Sequence, residues 1–172
     1  MSTAKARAVF LVGFMGAGKT ATGDALACRL GWRFVDLDAY IEAREGRSIA
    51  QIFANDGEAA FRRAESAALR EIVEGLTNTA VVALGGGTFA DPENSVAVQR
   101  AGTTVFLEAS PDVLLQRVGT AGARPLVGSD QDFVGLYAKR IATYRSADVT
   151  VNTENKSAAA VAAEIATRLG LE

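Results

Sequence analysis

The chain of 172 residues predicts an α/β fold, a central five-stranded parallel sheet flanked by helices on both faces. Three observations predict it. Short apolar runs rich in Val and Phe recur at five places, segments with helical spacing of apolar residues separate them, and a glycine-rich octet follows the first run at once. Strands joined through helices need right-handed crossovers that bury both sheet faces, so ligands belong at the carboxyl ends of the strands.

The first run, Ala8 to Val12, leads into Gly13-Phe14-Met15-Gly16-Ala17-Gly18-Lys19-Thr20, a complete G-x-x-x-x-G-K-[ST] phosphate-binding loop (P-loop). Its glycines let successive N–H groups converge on a phosphate chain, and the helix that follows adds the positive end of its dipole. Lys19 can then reach the β- and γ-phosphates, and Thr20 can set its hydroxyl on a Mg²⁺ ion. A nucleoside triphosphate is the expected ligand. Gly31 after Leu30 ends this helix.

The second run, Arg33 to Val35, continues into Asp36-Leu37-Asp38. Carboxylates two positions apart in extended backbone face the same side, so one can hold the metal through water while the other accepts a proton from, or orients, an attacking hydroxyl. Acidic residues in this place also cap helices; the phosphate loop nearby favours the catalytic role. Gly46 closes the next helix, and Phe61, Leu69, Ile72, Val73 and Leu76 then share one face of a long one, leaving Arg62 and Glu65 to project elsewhere.

The third run, Ala80 to Leu84, ends in Gly85-Gly86-Gly87, where a ligand can lie on bare backbone. It lacks the terminal aspartate of an ordinary Walker B strand, which by elimination moves metal binding to Asp36. The fourth run, Thr104 to Leu107, is followed by Ser110-Pro111 at the head of a helix. Gly119 to Asp130, with three glycines and a proline, reads as too broken for a helix and as a lid whose Arg124 can swing over the γ-phosphate. After the fifth run, Val149 to Val151, Ser157 caps an alanine-rich final helix. Arg62, Arg117, Arg124 and Arg140 are the candidate anion binders, although Arg62 could instead pair with Glu58 or Glu65 on its own helix.

Composition narrows the function classes. Eighteen basic and twenty acidic residues leave a net charge of −2, which implies no broad attraction to nucleic acid or membrane. With no histidine, a Ser-His-Asp triad, histidine metal ligands and a phosphohistidine are excluded, and proton transfer falls to carboxylates. The lone Cys28 excludes an internal disulfide, suits a reducing compartment, and is expected to be a small buried hydrophobe. No apolar stretch is long enough to span a bilayer, and Met1 to Arg7 leave no room for a signal peptide, so a cytoplasmic protein is expected. A single domain and a monomer fit the length and the absence of a spare apolar helix.

Taken in order, these motifs resemble the shikimate kinases, small-molecule kinases of the phosphate-loop group, over essentially the whole chain. The octet, Asp36-Leu37-Asp38, Gly46 to Phe53, Phe61-Arg62-Arg63-Ala64-Glu65, Gly85-Gly86-Gly87, Arg124-Pro125-Leu126 and Arg140 with Tyr144 all carry the likeness. The resemblance implies ATP- and Mg²⁺-dependent phosphorylation of the 3-hydroxyl of shikimate. It implies Asp38 as base or orienting group, Arg62 and Arg140 as a clamp on the substrate carboxylate, and Gly85, Gly86 and Gly87 lining the ring. Nucleotide binding falls to Gly16, Ala17, Gly18, Lys19, Thr20 and Ala21, the last through backbone alone. Lys19 and Arg124 would stabilise the transferring phosphoryl group, Thr20 and Asp36 would hold Mg²⁺, and Arg117 with the Asn155-Lys156 neighbourhood would contact adenine. The layout is a core sheet, a substrate-binding segment about 37–66 and a lid about 119–131. Gluconate and nucleoside-monophosphate kinases are the alternatives, and the arginine pair with Asp38 argues for a small hydroxylated acid instead. A GTPase-type switch would need Asn-Lys-x-Asp, and Asn155-Lys156-Ser157-Ala158 lacks the aspartate.

Overall fold

The computed structural model describes residues 8–121 and 128–172. Met1 to Arg7, and the residues 122–127 that include Arg124, lie outside them. Five strands, β1 (Ala8–Val12), β2 (Arg33–Asp36), β3 (Ala80–Ala83), β4 (Thr103–Glu108) and β5 (Val149–Asn152), form one parallel sheet in the order β2-β3-β1-β4-β5. Every residue of β1 is buried, as a central strand covered on both faces requires.

Among the described residues seven α-helices connect or follow the strands: α1 (Lys19–Leu30), α2 (Leu37–Glu45), α3 (Ile49–Glu74), α4 (Pro92–Ala101), α5 (Pro111–Ala121), α6 (Asp130–Tyr144) and α7 (Ala158–Leu169). The step from β1 to β2 runs one way across the sheet, while the steps from β2 to β3, β3 to β4 and β4 to β5 run the other. Right-handed crossovers therefore put α1 on one face and the later connecting helices on the opposite one. The packing agrees, with α7 against α1 and α4 against α3 and β4. Between the layers lies a core that includes Phe10, Leu11, Val82, Phe89, Phe106, Phe133 and Ile165.

The sequence-predicted caps hold in detail. Gly31 and Gly46 end α1 and α2 in the left-handed region and Ser157 accepts a hydrogen bond from the Ala160 N–H; Gly170, not expected from the sequence, ends α7 in the same way. Ser48 and Gln51 form a reciprocal capping box at the start of α3, which is interrupted once, at Gly57.

Three expectations are corrected. Cys28 is exposed, because the buried stripe of α1 runs through Thr22, Gly23, Leu26 and Ala27 and the next residue has rotated away from it. The segment from Gly119 to Asp130 is less broken than its glycines suggest: α5 continues through Ala121, anchored by buried Leu114 and Val118, and Asp130 already opens α6 behind a Ser129 cap. Asp36 and Asp38 do not share an extended strand. Asp36 is the last residue of β2 and the N-cap of α2, accepting from the Ala39 N–H at 3.0 Å, and Asp38 sits in that helix's first turn.

Candidate active site

The strand order places the carboxyl ends of β1, β3 and β2 side by side, and a cavity of about 400 Å³ opens there. The phosphate loop and the start of α1 supply one wall, Gly16, Gly18, Lys19, Thr20 and Ala21 among them; Asp36, Asp38, Leu84, Gly85 and Gly86 face it. Gly18 is the hinge of that loop, with φ of 88° at the N-cap of α1, a conformation that only glycine adopts without strain. Ala17 points inward instead, with a buried side chain and its N–H donated to the Phe14 carbonyl at 3.1 Å.

Lys19 sits half-buried at the head of α1. Its ammonium donates to the carbonyls of Gly13 at 2.7 Å and Phe14 at 3.0 Å, so the loop itself curls around the charge. Burial lowers this amine from 10.5 to about 8; the carboxylates of Asp38 and Asp36 work against the shift and Arg140 works with it. Asp38 is pushed the opposite way, to about 6, first by the protein packed around it and then by the charge of Asp36. Asp38 is itself exposed at the cleft mouth, so water tempers the effect of the protein packed on its other sides.

Thr20 donates its hydroxyl to Asp36 Oδ2 at 2.7 Å. The two residues expected to serve a cation are therefore already neighbours, although they lie sixteen positions apart. No cluster of three or more acidic or thiol ligands exists among the described residues. That donor set fits a Mg²⁺ ion, which keeps several waters and binds through one or two protein oxygens plus substrate phosphates.

On the far side of the cleft the glycine triplet meets the guanidinium groups. A Cβ on Gly87 would lie 2.6 to 2.9 Å from the Arg62 guanidinium, and one on Gly86 would lie 3.5 Å from an Arg140 nitrogen. A side chain at Gly87 would displace the Arg62 guanidinium, whereas one at Gly86 would meet Arg140 only at ordinary van der Waals distance. Arg62 donates to Glu65 at 3.0 Å and approaches Glu58 at 3.5 Å, so the intrahelical pairing is real. Glu65 is 1% exposed and accepts a second bond from the buried Thr88 hydroxyl at 2.9 Å. Arg140 lies over the Phe14 ring at 5.8 Å and has no carboxylate partner among the described residues. Arg62 is thus shared between Glu65 and the exposed Glu58, while Arg140 has no carboxylate of its own among the described residues, and its charge suits an anionic ligand at the glycine turn.

The adenine-side candidates separate. Arg117 donates to the Gly16 carbonyl at 3.3 Å and to both oxygens of Thr153 at 3.0 Å, joining the phosphate loop to the segment between β5 and α7. Lys156 is engaged by the Asn152 carbonyl at 2.9 Å and by Glu164 at 2.7 Å, while Asn155 takes a left-handed backbone with φ of 57°. Sequence reasoning missed Thr88, which only its place after the triplet marks, and assigned no role to Tyr144, whose hydroxyl donates to the Gly86 carbonyl.

Comparison with known proteins identifies the family. A family model described as shikimate kinase matches residues 15–170. The chain is 43% identical to a shikimate kinase of Geobacter sulfurreducens, over 94% of this chain and 90% of the relative, and 42% identical to that of Thermus thermophilus, over 94% and 89%. Among solved structures, shikimate kinase from Acinetobacter baumannii in complex with shikimate superposes with a TM-score of 0.89 at 34% identity, covering 96% of this chain and 94% of that one. A gluconokinase from Sinorhizobium meliloti, at 19% identity and a TM-score of 0.59, shares the fold alone. With a family match over residues 15–170 and relatives 42–43% identical over 94% of the chain, the chain belongs to the shikimate kinase family.

Proposed function

We propose that the chain transfers the γ-phosphoryl group of ATP to the 3-hydroxyl of shikimate, giving shikimate 3-phosphate and ADP. Membership of the family makes it a phosphotransferase with an alcohol acceptor. The observation that carries the reading is one cleft in which Lys19 and the Thr20–Asp36 pair face Asp38 and a glycine turn flanked by Arg62 and Arg140.

In this reading Arg62 and Arg140 bind the acid's carboxylate, and the Gly85-Gly86-Gly87 backbone lets the ring lie close. Asp38 orients the 3-hydroxyl and takes its proton as the oxygen attacks the γ-phosphorus; the bond to the β,γ-bridging oxygen breaks and that oxygen leaves with ADP. A carboxylate raised to about 6 is a better proton acceptor than an ordinary aspartate and is still ionised near neutrality. Lys19 follows the charge from the β- to the γ-phosphate. Thr20 and Asp36 would hold Mg²⁺, which when bound neutralises phosphate charge. Arg124 is assigned to the transferring phosphoryl group. On the adenine side, Arg117 is the better candidate, since its hydrogen bond to the Gly16 carbonyl ties it to the phosphate loop, whereas Lys156 is paired with Glu164. The same reading has the chain acting as a monomer in the cytoplasm.

An ADP-release assay run in parallel with shikimate, gluconate and nucleoside monophosphates tests the proposal. Release is expected with shikimate. Release with gluconate or a nucleotide and none with shikimate overturns it.

A further inference from the structure

We propose that Tyr144 is a positioning residue for the acceptor acid: its hydroxyl ties the helix carrying Arg140 to the glycine turn, so that guanidinium and ring-lining backbone are presented in fixed register. The inference rests on the functional reading above.

Tyr144 is the last residue of α6, one helical turn beyond Arg140, and is 0% exposed. Its ring stacks on Phe106 of β4, with centroids 5.3 Å apart and planes at 30°, so the phenol is held by the sheet beneath it. From there its hydroxyl donates to the Gly86 carbonyl, close enough to Arg140 for the guanidinium's charge to act on the phenol. Burial pushes the phenol up to about 12, which keeps it neutral and a donor at any working pH.

Two features of the site make such a tie necessary. Gly86 has no side chain, so nothing but its backbone can be gripped, and a planar trans peptide means that fixing its carbonyl also fixes the direction of the Gly87 N–H. Arg140 has no carboxylate to hold it among the described residues; the Phe14 ring lies against it and the Tyr144 phenol is near enough to feel its charge. Removing the hydroxyl frees the turn and one flank of the guanidinium together. Both belong to the acid's half of the cleft, and neither belongs to the phosphate loop.

The test is Tyr144→Phe, which keeps the stack on Phe106, beside Tyr137→Phe as a matched control. Tyr137 lies on the same helix and likewise donates to a carbonyl, that of Ala109 at 3.2 Å. KM for shikimate and for ATP, kcat and the unfolding midpoint are measured for each. Tyr144→Phe is expected to raise KM for shikimate about tenfold, the worth of one well-placed hydrogen bond, and to leave KM for ATP within about twofold. Tyr137→Phe is expected to lower the midpoint by about 2–4 °C, as Tyr144→Phe also should, with both KM values unchanged. Should Tyr144→Phe fail to fold, Phe106→Leu removes the ring under the tyrosine while leaving the hydroxyl, and is expected to raise the same KM to a smaller degree. An unchanged KM for shikimate, or an equal rise in both KM values, overturns the inference. Wild-type protein that turns over no shikimate overturns the functional reading instead.

Discussion

Asp38 and Lys19 carry opposite charges into one cleft, and each is moved toward neutrality by its surroundings. For Asp38 the folded value of about 6 stands above the ordinary 3.8, so between these values the folded chain binds more protons than the unfolded one and stability falls as pH rises. Above that window the ionised carboxylate is a standing destabilisation, tempered by the water in the cleft mouth. Asp38→Asn should therefore raise the unfolding midpoint of the free protein near neutral pH by about 3 °C, with catalysis lost. That advantage should disappear on acidification below the ordinary carboxylate value. Thermal unfolding across a pH series checks this; a variant less stable than wild type near neutrality contradicts it. For Arg62 the argument is one of partners. Arg62→Ala should raise KM for shikimate about 30- to 100-fold, as expected for a charged hydrogen bond, with KM for ATP nearly unchanged. It should also lower the unfolding midpoint, since buried Glu65 keeps only Thr88. Steady-state kinetics with each substrate varied in turn would contradict the assignment by showing equal effects on both.

At the scale of elements, the site is made by abrupt transitions. Strand β2 passes into α2 with no loop, because Asp36 ends the strand and caps the helix at once, and the first helical turn then carries Asp38 into the cleft. Helix α3 buries Phe61, Glu65, Leu69 and Ile72 and so leaves Arg62 at the edge of that face, against the turn after β3. Gly87→Ala probes this contact. The added Cβ would meet the far end of a flexible arginine, so the guanidinium should shift and the fold survive. KM for shikimate is expected to rise about tenfold with the unfolding midpoint nearly unchanged; an unaltered KM would show that Arg62 is not held where the acid needs it. Caps and strands were legible in sequence because short-range chemistry decides them: Gly31, Gly46 and Ser157 stop or start helices by backbone geometry alone. The end of α5 was not legible, because Gly119 is carried in the helix by the burial of Leu114 and Val118.

For the whole molecule, the order β2-β3-β1-β4-β5 brings the loop after β1 beside the turn after β3 and the acidic end of β2. A nucleotide bound there stabilises the fold by mass action. At about 100 times its dissociation constant, Mg-ATP should raise the unfolding midpoint by about 5–10 °C. Chelation of divalent cations should abolish turnover and remove most of that shift; full stabilisation and turnover under chelation would remove the role given to Thr20 and Asp36.

The sequence alone determined the alternation of strands and helices, the phosphate loop with its lysine and threonine, the family and the chemistry that residue types permit, since each is written in neighbouring residues. Tertiary structure decided what distant residues do to one another. The 2.7 Å bond from Thr20 to Asp36, the burial that shifts Lys19 and Asp38, the clasp of Thr88 on Glu65 and the hold of Tyr144 on Gly86 join segments up to 58 positions apart. Desolvation and hydrogen-bond partnership depend on which elements the sheet brings together, and no local pattern records that.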